Sequence, residues 1–249
     1  MNLNRNFFNT HYFNKLKKKG KYLRRDPRLF LGLYLKRLIK KFNSSGNIID
    51  IGTGDGYFIT KFEKSYKTIG VDISKYAINL AKKRCLKTNF VICSAEHLPF
   101  MPNCFDFILA LDLIEHLKYP NNFFQDSAYI LKDKGIIILS TPNPTSYGKK
   151  LKKEKWIGYS DISHISIKTP EQWRELFTLH NFEIIREGTD FCWDIPYPIH
   201  VHPLIQRWIV IPIHIILKVT FGFLPWKFGE NYYAIIQFIG KANINENRH

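Results

Sequence analysis

Three glycines at alternate positions, Gly52, Gly54 and Gly56, follow the apolar run Ile48-Ile49-Asp50-Ile51, and two carboxylates, Asp50 and Asp55, flank the turn made by the first two. Lacking Cβ atoms, such glycines allow tight turns and let a ligand rest on the backbone where a strand feeds a helix. A dinucleotide fingerprint would space them G-x-G-x-x-G and set a pyrophosphate on the helix N-terminus. Here the third glycine comes one residue early, and the flanking acids would repel a pyrophosphate and favour a cationic ligand. Twenty-two positions after Asp50, Asp72 ends a second apolar run in Val71-Asp72-Ile73-Ser74. An acid at that offset accepts hydrogen bonds from ribose hydroxyls; taken alone, Asp72 also reads as a residue that starts a helix beside Ser74. Ser94-Ala95-Glu96 ends a third run, where a small residue beside an acid suits a flat purine and its exocyclic amine.

Two histidines are candidate proton acceptors: His116, after the fourth apolar run, and His164 in Asp161-Ile162-Ser163-His164. Both are expected to titrate near neutral pH, with Asp161 close enough to orient His164. Helix-terminal packing or capping is the alternative role for His116. Cys85, Cys93, Cys104 and Cys192 show no C-x-x-C spacing and are too sparse for a disulfide framework. They point to a reducing, cytoplasmic compartment, to packing roles and to no metal site.

The elements that must position these residues follow from periodicity. Asn47 to Ile51, Lys67 to Val71, Phe90 to Cys93, Phe105 to Leu109 and Gly135 to Leu139 read as buried strands. Tyr57 to Lys64, Ser74 to Arg84 and Asn121 to Leu131 read as helices between them. Alternating βαβ units make a mostly parallel sheet with helices on both faces, an α/β architecture. Beyond Ser140, Pro142, Pro144, Gly148 and the run Lys149 to Lys155 predict a long polar connection, a mobile lid. Thr169-Pro170-Glu171 opens another helix, with Thr as cap and Pro in the first turn. Phe182 to Arg186 and Tyr232 to Ile239 complete the strands.

Residues 1–44 form a basic helical leader carrying Lys15, Lys17, Lys18, Lys19, Lys21, Arg24, Arg25 and Arg28, then Leu31, Leu35, Leu38 and Ile39 near helical spacing. The main domain spans 45–240 and includes an apolar, aromatic insertion at 189–229; a polar tail follows at 241–249. The stretch from Trp208 to Trp226 is interrupted by Pro212, His214 and Lys218, which argue against a membrane span of roughly 20 residues. Pro212 should kink any single helix there.

The successive motifs Asp50 to Gly56, Asp72, Ser94 to Phe100, Phe105 to Leu117 and Gly135 to Asn143 resemble those of class I S-adenosylmethionine-dependent methyltransferases, over about Asn47 to Glu187. Leu98-Pro99-Phe100, Glu115-His116-Leu117 and Ser140-Thr141-Pro142-Asn143 are similar to the small-molecule branch that includes the ubiquinone-type enzymes. S-adenosylmethionine carries an ammonium and a sulfonium, the charges that Asp50 and Asp55 favour. The resemblance implies a Rossmann-like, seven-stranded sheet whose last strand is antiparallel. It also implies that Asp50, Gly52, Thr53, Gly54 and Gly56 hold the methionine part and that Asp72 with Ile73 holds the ribose. Ala95 and Glu96 would take the adenine, and Leu111 and Asp112 the edge near the methyl group. Ser94 stands where the family usually has an acid.

For the acceptor, several classes remain open. A balance of 37 Lys and Arg against 21 Asp and Glu, a formal charge of +16, would concentrate nucleic acid, anionic lipid or acidic sugar near the surface. RNA methylation is disfavoured, because Leu111-Asp112-Leu113-Ile114 is not the Asn- or Asp-Pro-Pro-aromatic element of amino-methylating enzymes and no cysteine follows Pro or Thr. The expectation is therefore methyl transfer to a small-molecule, lipid-like, lipid-linked or saccharide acceptor. An anionic membrane surface is a second candidate partner, reached through the basic and aromatic insertion. A non-catalytic S-adenosylmethionine-binding protein is the remaining alternative.

Overall fold

Alternation of apolar side chains decides the architecture. Ile49, Ile137, Leu139, Ala234 and Ile236 enter one core, whereas their neighbours Ile48, Ile136, Ile138, Tyr233 and Ile235 enter another. A sheet apolar on both faces must be covered on both. The structure, a computed structural model, describes residues 28–191, 194–197, 199–225 and 227–240. Lys15 to Arg25 of the basic leader, the tail 241–249, Cys192 and Trp226 lie outside the described residues.

Seven strands form one sheet: β1 (Asn47–Ile51), β2 (Lys67–Asp72), β3 (Asn89–Ile92), β4 (Phe105–Leu111), β5 (Leu131–Pro142), β6 (Phe182–Thr189) and β7 (Asn231–Phe238). Their order is β3-β2-β1-β4-β5-β7-β6. The first five pair in parallel, and β7 runs antiparallel between β5 and β6, as expected for the last strand. Chain order reverses between β1 and β4. At such a switch point the crevice beyond the carboxyl ends of the strands is where ligands bind in open α/β sheets.

Helix α1 (Arg28–Phe42) lays Leu31, Leu35 and Ile39 on one face of the sheet. Helix α2 (Lys75–Arg84) starts at Ser74, whose hydroxyl accepts from the Ala77 amide at 3.2 Å. On the opposite face α3 (Pro120–Ile130) contributes Phe123 and Phe124, and α5 (Pro170–Leu179) contributes Trp173 and Phe177. Full burial of each such side chain contributes about 1.5–3 kcal/mol. The capping box between Thr169 and Gln172 sets the start of α5 where the Thr-Pro-Glu pattern puts it.

Two expectations fail. Tyr57 to Lys64 is a series of turns with a single 3-10 turn, Ile59–Lys61, instead of a helix. Gly56 at its head and β-branched Ile59 and Thr60 give that stretch weak helical preference, and tertiary packing of Ile59 and Phe62 decides its path. The Lys-rich connection is not an open lid. It folds into α4 (Tyr147–Lys152) and two 3-10 turns, and Trp156 at its end is fully buried. The Trp156 indole donates to Glu230 at 3.0 Å, and Glu230 also accepts from Tyr197 and from Ser146. Gly148 is required there, since a Cβ would stand 2.2 Å from a Glu230 carboxylate oxygen.

Finally, α6 (Pro203–Phe221) continues as one helix through Pro212. It lies along α1. Arg186 of β6 caps its C-terminus by donating to the Phe221 and Phe223 carbonyls and holds α1 through the Tyr34 hydroxyl. Nearly all of the remaining surface of α6 faces outward: Trp208 is 80% exposed, and Leu204, Ile205, Ile209 and Ile216 are exposed with it. By length and composition this helix is long and apolar enough to cross a membrane.

Candidate functional site

The carboxyl ends of β1, β2 and β4 bring the expected cofactor residues together. Asp50 is 2% exposed and accepts from the Thr53 hydroxyl at 2.8 Å. Burial pushes its carboxyl up to about 7, and the nearby charges of Asp72 and Asp55 push the same way. Among the described residues no cation pairs with this buried carboxyl, and an ammonium is the group that would supply the counter-charge. Gly52, Gly54 and Gly56 all take positive φ, +75°, +55° and +73°. A Cβ on Gly56 would stand 2.8 Å from the Cys85 sulfur, so this glycine serves packing. At Gly54 a Cβ would meet nothing within 4 Å, so there the loop leaves open space against bare backbone.

Asp72 spans this loop and the following helix. One oxygen accepts from the Gly54 amide at 2.9 Å and the other from the Ser74 amide at 2.8 Å. The acid thus steadies the turn that leads into α2 and stands beside the glycine loop. Burial raises its pKa. Asp55 behaves differently from the expectation that it would act on a ligand's charge, because Arg84 pairs with it at 2.8 Å. Ile73 is half-buried beside Asp72. Ala95 packs against the core, and Glu96 accepts from the Tyr119 amide at 2.6 Å, which ties the end of β3 to the chain leading into α3.

At the tip of β4, Leu111 is buried and Asp112 is exposed with φ +51°, a strained conformation for a residue with a Cβ. Ser140 of β5 holds it there: its carbonyl accepts from the Asp112 amide at 2.9 Å and its hydroxyl donates to the Asp112 carboxylate at 2.7 Å. Strain maintained by specific hydrogen bonds is a mark of functional edges. Lys218 of α6 reaches the same rim, donating to the Tyr233 hydroxyl at 3.0 Å; burial lowers its pKa, and the nearby Asp190 and Asp112 offset only part of that.

His116 and His164 also meet, with ring centroids 4.8 Å apart. The orienting network is wider than the one expected: Asp161 lies near enough to His164 for their charges to interact, and it reaches His116 as well. Ser163 donates its hydroxyl to Asp161 at 2.6 Å and contacts His116 Nδ1 at 2.9 Å, so Asp161 acts on His116 through Ser163, whereas His164 Nδ1 lies against the Gly158 carbonyl. Nor does His116 titrate near neutrality: burial first, then His164, push it down to about 4. Its imidazole is neutral at pH 7 and a weak base. Ser163, Ser140, Lys218 and Glu115 escaped notice as site residues, because each acts on a residue 15 or more positions away without any local pattern to mark it.

A Rossmann-like sheet with acids and a glycine turn at its switch point defines a nucleotide-type cofactor domain. Residues 22–187 match the family described as a methyltransferase domain, and the chain belongs to that family, the class I S-adenosylmethionine-dependent methyltransferases. An uncharacterised protein of Methanocaldococcus jannaschii is 35% identical over 54% of this chain and 62% of its own length. A ubiquinone biosynthesis O-methyltransferase of Pelagibacter ubique is 32% identical over 39% of this chain and 42% of its own. The chain thus spans less than two thirds of both relatives. A solved S-adenosylmethionine-dependent methyltransferase from Archaeoglobus fulgidus shares the fold, with a TM-score of 0.63 at 20% identity over 91% of this chain and 99% of that one.

Proposed function

We propose that this protein transfers a methyl group from S-adenosylmethionine to a small, lipid-like acceptor. The donor half of the reading rests on one observation: a buried, electrically uncompensated Asp50 stands beside open space over Gly54 and beside Asp72 at the neighbouring strand tip. Asp50 with Gly52, Thr53, Gly54 and Gly56 holds the methionine part. Asp72 and Ile73 hold the ribose, Ala95 and Glu96 the adenine, and Leu111 and Asp112 border the reacting edge. S-adenosylmethionine, when bound, supplies an electrophilic methyl group with a good leaving group. The residues of the chain then contribute mainly alignment and exclusion of water. We assign His116 and His164 to the acceptor side, without giving His116 the role of general base.

The lipid-like character of the acceptor is supported by the exposed apolar face of α6, which carries Trp208 and Ile209 while its Lys218 reaches the rim at Tyr233. On this reading α6 lies in an anionic membrane surface on the cytoplasmic side and the acceptor enters from the lipid. The ubiquinone-type relative supports a small-molecule acceptor of this kind.

A thermal melt with S-adenosylmethionine tests the donor site: the ligand should raise Tm, and Asp50→Ala should abolish the rise. For the acceptor, label from methyl-labelled donor should pass into the organic phase of a fractionated extract. Label found only in RNA or protein overturns the proposed acceptor class.

A further inference from the structure

Glu115, His116 and His164 form a cluster that the donor site does not use. Glu115 and His116 belong to the 3-10 turn Ile114–His116 that follows Asp112, and His164 comes from the segment after α4. One ligand-type atom from each lies within 4.8 Å of the other two. The carboxylate is the telling member. Glu115 is 1% exposed, and among the described residues its Oε2 has no hydrogen-bond partner of good geometry, the nearby Thr141 hydroxyl being buried and equally unsatisfied. Leaving a carboxyl oxygen both buried and unsatisfied is costly, so such a group calls for a partner.

Each imidazole contributes one nitrogen to this cluster. Each is gripped through Nδ1: His116 lies 3.1 Å from the Ser163 carbonyl and 2.9 Å from its hydroxyl, and His164 lies 2.6 Å from the Gly158 carbonyl. Metal-bound histidines are typically oriented in this way, with a carbonyl or a carboxylate-linked group on one ring nitrogen and the ion on the other. Ser163 is itself backed by Asp161. The amides of Ile165 and Ser166 donate to the Glu115 carbonyl at 3.0 and 2.9 Å, which locks the His164 segment onto the Glu115 turn.

We propose that Glu115, His116 and His164 bind one divalent transition-metal cation. Two nitrogens and one carboxylate oxygen suit Zn2+, Co2+ or Mn2+ better than Mg2+ or Ca2+, which favour all-oxygen shells. The site stands independently of the donor reading, although both share the turn that leaves β4.

The full chain, stripped with EDTA and dialysed, is titrated with Zn2+ and separately with Co2+, following Tm and the visible absorption of bound Co2+. Wild type should take up one more equivalent than His164→Ala. Ser163→Ala, which removes an outer-shell partner, should bind roughly 10- to 100-fold more weakly. Glu115→Gln, close in shape and uncharged, should lose the metal while its metal-free Tm equals or exceeds that of wild type. Equal uptake by wild type and His164→Ala, or no uptake by either, overturns the proposal, and a response to Mg2+ but not Zn2+ overturns the choice of metal. His164→Ala should keep its Tm rise with S-adenosylmethionine. Loss of that rise in wild type with metal uptake intact would count against the Asp50 pocket and leave the metal site standing.

Discussion

Gly54→Ala should separate folding from donor binding. At φ +55° an alanine costs about 1–2 kcal/mol in backbone energy. Its Cβ would touch no atom within 4 Å, so nothing else is lost in the donor-free protein. For a chain of this size Tm should fall by roughly 2–8 °C. The added methyl would project into the space assigned to the methionine part of S-adenosylmethionine, and donor affinity should drop at least about tenfold, or about 1.4 kcal/mol. Gly56→Ala should show the opposite balance. Its Cβ would stand 2.8 Å from the Cys85 sulfur and 3.2 Å from the Ala81 Cα, adding about 1–3 kcal/mol of overpacking to the same backbone cost. Urea denaturation and calorimetric titration of both variants give the two quantities separately. If Gly54→Ala loses stability as expected yet binds the donor like wild type, the space above Gly54 is not where the donor lies and the assignment of the loop fails.

Asp50 should make stability and binding depend on pH in opposite senses. Because its folded pKa is raised to about 7 from 3.8, the folded state holds this proton more tightly than the unfolded state. This contribution to donor-free stability is complete below about pH 4 and is lost as pH rises to about 7, a slope that Asp50→Asn should remove in pH-dependent melts. Donor affinity should instead rise up to about pH 7, since the ammonium favours the ionised carboxylate; a pH-independent affinity would refute that pairing. Trp156→Ala should cost about 3–5 kcal/mol by emptying a fully buried site, read as a Tm drop on the order of 10 °C; an unchanged Tm would mean that the segment after α4 is not anchored. Trp208→Glu should leave Tm within about 1 °C, the residue being exposed, but abolish flotation with anionic liposomes. Flotation equal to wild type would remove α6 from the membrane reading.

The strands and the donor edge were legible because their causes are local. A run such as Ile48-Ile49-Asp50-Ile51 before alternate glycines carries its own burial pattern and its own turn. Asp72 was legible for the same reason, through its fixed offset along a βαβ unit. Tyr57 to Lys64 was misread because Ile59 and Phe62 answer to the core beneath them more than to helical periodicity. The segment from Pro144 to Lys155 was misread because its lysines dominate the composition, whereas its path is set by Gly148 and Trp156 closing on Glu230, far along the chain. The link from Asp161 to His116 passes through a serine on another segment, and spacing cannot report such a connection.

The antiparallel course of β7 has a consequence for how this architecture can diversify. Thr189 at the end of β6 lies opposite Tyr232 near the start of β7, and Asn231 lies opposite Pro142 at the end of β5. Everything from Asp190 to Glu230 therefore departs from and returns to one margin, above the strand tips. Within that stretch the exposed face of α6 can change without touching a strand, whereas Leu224, which bridges Thr189, and Glu230, which receives Trp156, tie its far end to the fold, so new acceptor preferences are most readily acquired on the outer part of that cassette.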